Sequence, residues 1–295
     1  MPTFSPMLQA VDARYPSADG PQPAIALSCG GDRALVALHG GHVLSWTPAR
    51  GGERLYLSPT SRHGDGASIR GGIPVIFPQF ADRGPLPRHG FVRTTAWRFD
   101  GVDDVGGMPA AVFALDDSAA TRAQWPHAFA LRLRVALACD ALRLTLDVRN
   151  TGDAPFAFQC ALHSYLQVET LSTTRLQGVQ GQAYRDRSEP ATLRRDDDAS
   201  PAFGEEIDRI YVDAHSQRTL DDGLRVVRID TTGFADTVVW NPGPALAAAM
   251  RDLAPGGQGR FVCVEPACIE RAVTVAPGEA WRGTLTMTAD VPARR

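Results

Sequence analysis

The chain has 295 residues, 44% of them hydrophobic and 21% charged, which is enough apolar content for a large core and too much for a disordered segment. A formal net charge of -3 and a pI near 6.2 supply no field that would gather nucleic acid or an anionic membrane. No run approaches 18 apolar residues and residues 1–10 lack a basic, apolar leader pattern, so the expected setting is the cytoplasm.

All 30 basic residues are arginine. Lysine Schiff-base chemistry and the lysine-dependent phosphate loop are therefore excluded, and any phosphate must be held by arginine or backbone amides. Cys29, Cys139, Cys160, Cys263 and Cys268 are an odd, scattered set without a C-x-x-C pair. That pattern predicts buried free thiols rather than a disulfide framework or a zinc knot.

In chain order, short apolar or alternating runs occur at 34–38, 42–46 and 110–115. A short helix is predicted over 118–125, capped by Asp117 and stopped by Pro126. Strict period-two alternation over 131–137 and 142–148, with Cys139, Asp140 and Ala141 in the connection, predicts an antiparallel hairpin. Further runs follow at 156–168, 224–229, 237–240, 261–264 and 281–287, and the glycines and prolines fall mostly between runs. Many short strands with turn punctuation predict a β-sandwich or barrel. The polar stretch 185–206, with Arg194, Arg195, Asp196, Asp197 and Asp198 adjacent, reads as an exposed loop.

Several residues could carry chemistry. In 69–80, paired glycines and two prolines interrupt an apolar stretch and bring Arg70 and Gln79 into an irregular loop. In 86–93, Arg88, His89 and Arg93 surround a glycine hinge, and arginine's planar fork suits a phosphate or carboxylate. His163 lies within an apolar strand, where a lone histidine is more often a core residue than a catalyst. Glu265 ends an apolar strand before a proline, where a glutamate is either paired or functional. Asp208 is a third acidic candidate, with a solvated turn as its alternative. His39 and His42 are three apart, a spacing that points β side chains to opposite faces, so no zinc site is inferred.

Taken in order, R-G-G-I-P-x-x-F-P-Q-F, H-G-F-x-R-x-x-x-W, A-L-H-S-Y, D-R-I-Y, W-N-P and V-C-V-E-P-A resemble the glucose-6-phosphate 1-epimerase branch of the aldose 1-epimerase superfamily. The resemblance covers about 25–287 and implies an all-β, large antiparallel β-sandwich formed by residues 1–295 as a single domain. It implies an isomerase that interconverts the α and β anomers of a hexose 6-phosphate, a small-molecule sugar phosphate, as a monomer without metal or other cofactor. His163 would be the general acid and Glu265 the general base, opening the pyranose and reclosing it with roles reversed. Arg70, Arg88, Arg93 and Asp208 fall at positions that line the sugar-phosphate site. His89 and Gln79 are further substrate-binding candidates.

Four positions depart from the pattern: Arg88 replaces a smaller or neutral polar residue, Thr94 an asparagine, Ser164 a threonine, and Gly243 an aromatic after W-N-P. The extra guanidinium favours an anion, and the missing aromatic removes one wall of the expected pocket. Three other readings remain at this point. A mutarotase of free aldoses shares the acid and base but has no use for three gathered arginines. A non-catalytic carbohydrate-binding sandwich would not need both His163 and Glu265. A glycoside hydrolase could use Glu265 with Asp208, leaving His163 unexplained.

Overall fold

Alternation governs the architecture. In the computed structural model, which describes residues 8–16, 20–62, 66–104, 108–138, 140–195 and 200–290, the described strands form two eight-stranded antiparallel sheets and one four-stranded sheet. The small sheet takes Gln9–Tyr15, Gln22–Cys29, Asp32–Ala37 and His42–Thr47 in sequence order. The back sheet runs Arg175–Gln177, Gln217–Asp221, Val226–Thr232, Ala280–Asp290, Ala141–Asn150, Phe129–Leu137, Pro109–Asp116 and Arg98–Asp104. The site sheet runs Leu193–Arg195, Ala183–Asp186, Ile207–Tyr211, Asp236–Asn241, Phe261–Val275, Phe156–Leu162 and Val75–Ile76. Tyr165–Gln167 pairs with the same long strand, Phe261–Val275.

The predicted hairpin is present, with Phe129–Leu137 paired to Ala141–Asn150. Its alternate residues Leu131, Leu133, Leu142, Leu144 and Leu146 are fully buried. Each such side chain contributes roughly 1.5–3 kcal/mol of transfer free energy, which fixes the register because a one-residue slip would expose all of them. This apolar face packs against Phe156, Phe158, Leu162, Val239, Val262 and Val264 of the site sheet in one cluster. The chain is thus an all-β antiparallel sandwich.

The opposite face of the site sheet has its own clusters. Ala161, Ile210, Val238, Ala267 and Ile269 form one, and Tyr56, Tyr165, Phe261 and Cys263 form another. It is this outer face that carries the pocket.

Some expectations need correcting. The short helix is Ala119–Gln124, and its cap is Ser118, which forms a reciprocal capping box with Thr121. Asp117 instead accepts from the Phe129 amide and pairs with Arg122, closing the loop back onto the hairpin. The run 156–168 is not one strand, because it breaks at His163 and Ser164 between Phe156–Leu162 and Tyr165–Gln167. The stretch 185–206 contains the edge strand Leu193–Arg195, while Asp196, Asp197 and Asp198 lie outside the described residues, as does Cys139. Cys160, Cys263 and Cys268 are buried free thiols, and Cys29 is buried. No helix among the described residues is long and apolar enough to cross a membrane.

Candidate active site

The pocket is assembled from two cross-strand rows. Asp208 is opposite Trp240, Trp240 opposite Cys263, and Cys263 opposite Tyr165. One step along, Ile210 is opposite Val238 and Val238 opposite Glu265. Because strand side chains alternate, Glu265 shares the outer face with Cys263 while Val262 and Val264 enter the core. His163 lies on the same face as Ala161 and Tyr165, stacked on the Tyr165 ring at 4.8 Å. Its backbone amide donates to the Pro74 carbonyl at 3.0 Å, and the Val264 amide donates to the Ser164 carbonyl, which stitches the broken strand to Phe261–Val275.

These residues line a cavity of about 580 Å³ together with Arg70, Arg88, His89, Arg93, Asp208 and Trp240. Of the eight site residues expected from the sequence, seven line it. The exception is Gln79, whose amide is consumed by the Ala81 and Leu86 carbonyls and the Leu86 amide. Gln79 closes the loop that presents His89 and does not line the cavity.

His163 Nδ1 is 3.1 Å from Glu265 Oε1. Even so, Nδ1 and both Glu265 oxygens make no hydrogen bond among the described residues, although all are buried. Burial pushes the Glu265 carboxyl well up, and the Asp208 carboxylate pushes it further. Burial pushes the His163 imidazole well down, assisted by His89, Arg70 and Arg93. Both shifts favour the neutral forms of the two side chains, which lie 3.1 Å apart.

The cationic end is uneven. Arg70 is forked onto Asp252 (3.1 and 3.0 Å) and donates to the Tyr165 hydroxyl at 2.9 Å. Burial disfavours this cation, but Tyr165 and Asp252 outweigh burial and raise its pKa. Arg88 is ion-paired with Asp82 and half exposed. Arg93 donates to the Arg88 carbonyl at 2.9 Å and forms no carboxylate ion pair among the described residues. Its pKa is pulled down to about 10 by burial, opposed by Tyr165 and reinforced by Arg70 and Arg88. A half-buried guanidinium beside two others, with no carboxylate partner among the described residues, has donors to spare for an anion. His89 Nδ1 accepts from the Ala81 amide at 3.3 Å, and burial with the three arginines pushes its pKa down to about 2, so it is neutral.

Gly71 and Gly72 make the Arg70 loop possible. A Cβ at either would lie 2.3 Å from a backbone oxygen, of Tyr56 and Val43 respectively, and both have positive φ. His42 and His39 support the same loop by contacting the Gly71 and Ala67 carbonyls. Gly243 is likewise explained: its φ is +61, and a Cβ there would meet the Glu206 amide nitrogen at 2.4 Å. The wall expected from an aromatic is built instead by Leu246 and Met250.

Sequence reasoning missed Arg185, Asp186, Arg187 and Pro190, which line the cavity from the stretch read as an exposed loop. Arg187 lies 3.6 Å from Asp208, too loosely paired to hold that carboxyl down. Burial and Glu206 push it up to about 6 against the pull of Arg187 and Arg88.

A family model for aldose 1-epimerase matches residues 23–288. A protein named "Putative glucose-6-phosphate 1-epimerase" in Cenchrus ciliaris is 35% identical over 87% of this chain and 81% of its own. A protein of the same name in Escherichia coli is 33% identical over 80% of this chain and 79% of its own. The crystal structure of a "putative mutarotase" from Salmonella typhimurium superposes with a TM-score of 0.85 at 28% identity, covering 96% of this chain and 97% of that one. The chain belongs to the aldose 1-epimerase family and is an isomerase.

Proposed function

We propose that the protein is a mutarotase for a hexose 6-phosphate, with glucose 6-phosphate as the preferred candidate, and that His163 and Glu265 are its acid and base. The observation that carries the phosphate specificity is Arg93, a half-buried guanidinium with no carboxylate partner among the described residues, facing the same cavity as the acid–base pair. A phosphate dianion docked against Arg93 and Arg70 offsets their positive field at His163. That favours transfer of the pair's proton from Glu265 to the ring, leaving a carboxylate able to take the anomeric hydroxyl proton while the imidazolium protonates the ring oxygen. Opening gives the aldehyde, rotation about C1–C2 exposes its other face, and reclosure with roles reversed gives the second anomer. Asp208, at the far end of its cross-strand row, is placed to accept a sugar hydroxyl, and neutral His89 to hydrogen-bond the substrate. Arg88 supplies positive charge at the mouth.

The test is anomer exchange by NMR saturation transfer on glucose 6-phosphate and on glucose, against the spontaneous rate. Acceleration concentrated on the phosphorylated sugar is expected. Equal acceleration of both would remove the anion role from the arginines, and none would favour a carbohydrate-binding sandwich without turnover.

A further inference from the structure

The sheet face that carries the acid–base pair also carries a thiol that proton transfer does not use. Cys263 precedes Glu265 by two residues on the same strand, so both side chains leave the same face, and its strand neighbour Tyr165 supports the His163 ring. One donor atom each from His163, Cys263 and Glu265 lie within 4.8 Å of one another, and all three residues are buried. This is the only such trio of His, Cys, Asp or Glu among the described residues. A second observation points the same way: among the described residues His163 Nδ1 and both oxygens of Glu265 are buried without a hydrogen bond, a situation that native interiors seldom leave unused.

We propose that His163, Cys263 and Glu265 form a binding site for a thiophilic divalent cation of the zinc class, and that its occupancy inhibits the enzyme. Nitrogen, thiolate and carboxylate suit zinc, whereas calcium and magnesium prefer oxygen alone. Zinc bonds of about 2.0–2.3 Å at tetrahedral angles put ligand atoms roughly 3.3–3.6 Å apart. The observed 3.1 Å between His163 Nδ1 and Glu265 Oε1 is close to one such edge, and the remaining adjustments are side-chain shifts of about 1 Å. His163 and Glu265 line the cavity, so the cation enters from it and keeps a fourth position open toward it. On binding, the thiol and the carboxyl each lose a proton to solvent, and His163 contributes a ring lone pair. The resulting complex of a dication with a thiolate and a carboxylate is neutral, which suits a buried face beside Arg70 and Arg93. Cation and catalysis then compete for the same lone pairs.

Cobalt(II) titration of the full-length protein tests the site without relying on turnover. The wild type is expected to develop a thiolate-to-cobalt charge-transfer band saturating at one equivalent, displaced by zinc and absent in Cys263→Ala. In parallel, zinc should slow glucose 6-phosphate anomerisation and a chelator restore it, while Cys263→Ala keeps basal turnover and needs at least about 10–100-fold more zinc for the same inhibition. Cys263→Ser, nearly isosteric, serves as the second variant should the alanine form fold poorly. A wild type without the band, or a band that survives in either folded variant, overturns the site. A wild type that shows the band but no turnover would sink the mutarotase assignment and leave the metal site standing.

Discussion

The two faces of the strand Phe261–Val275 have opposite physical characters. Val262 and Val264 enter a continuous apolar core, whereas on the other face Cys263 is buried beside Tyr165 and Glu265 reaches the cavity with both carboxyl oxygens buried and unpaired among the described residues. The first face contributes folding free energy and the second holds chemistry that burial opposes. The same division runs through Leu162 and His163, adjacent in sequence and on opposite sides of the sheet. The sharpest way to break the comparison is to change one residue on each side. Glu265→Gln and His163→Ala should each cost about 10²–10⁴ in kcat on glucose 6-phosphate. Glu265→Gln should also be as stable as the wild type or more so at neutral pH, since the fold penalises the carboxylate. Leu162→Ala should show the reverse, losing about 2–5 kcal/mol in denaturant unfolding with kcat nearly intact below its Tm. Turnover retained in Glu265→Gln would refute the acid–base assignment.

A smaller contrast separates two arginines. Arg88 already has Asp82 as a partner at the rim, whereas among the described residues Arg93 donates to a carbonyl and to no carboxylate. Arg93→Ala should lower kcat/KM for the phosphorylated sugar about 10–100-fold, mainly through KM, because a charge-assisted hydrogen bond is worth about 1.5–3 kcal/mol. The residual rate on free glucose should hardly change. If both substrates fall together, Arg93 maintains the pocket rather than binding the phosphate.

The sequence was most legible where periodicity was strongest. The hairpin around Asp140 could be read directly because both of its strands alternate without interruption. The six ordered motifs located seven residues that the fold brings into one cavity. Gln79 could not be told from them, since a glutamine in an irregular loop looks the same whether its amide meets sugar or the Leu86 backbone. Arg185 and Arg187 were hidden for a different reason: their stretch is as polar as an exposed loop, and only the pairing of Ala183–Asp186 with Ile207–Tyr211 turns it toward the cavity. The trio of His163, Cys263 and Glu265 has no local spacing to reveal it, because its histidine is a hundred residues from its thiol. Gly243 looked like a missing wall in sequence and proved to be a backbone requirement, set by the approach of Glu206.

The smallest expected effect lies at Asp208, on the outer edge of the polar face. Its carboxyl is pushed up to about 6 by burial and Glu206, against an ordinary value of 3.8. The fold therefore favours the protonated form, so this group's contribution is fully present below about 4 and is lost as pH rises through about 6. A shift of that size corresponds to at most about 3 kcal/mol, and screening at a partly exposed carboxyl reduces it to about 1–2 kcal/mol. Asp208→Asn cannot titrate. Its stability relative to the wild type, measured by denaturant unfolding from pH 4 to pH 8, should rise between about 4 and 6 and stay level above that. A level difference across the whole range would mean that Arg187 and Arg88 already hold the carboxylate, and that Asp208 reaches the sugar as an ordinary ionised acceptor at every working pH.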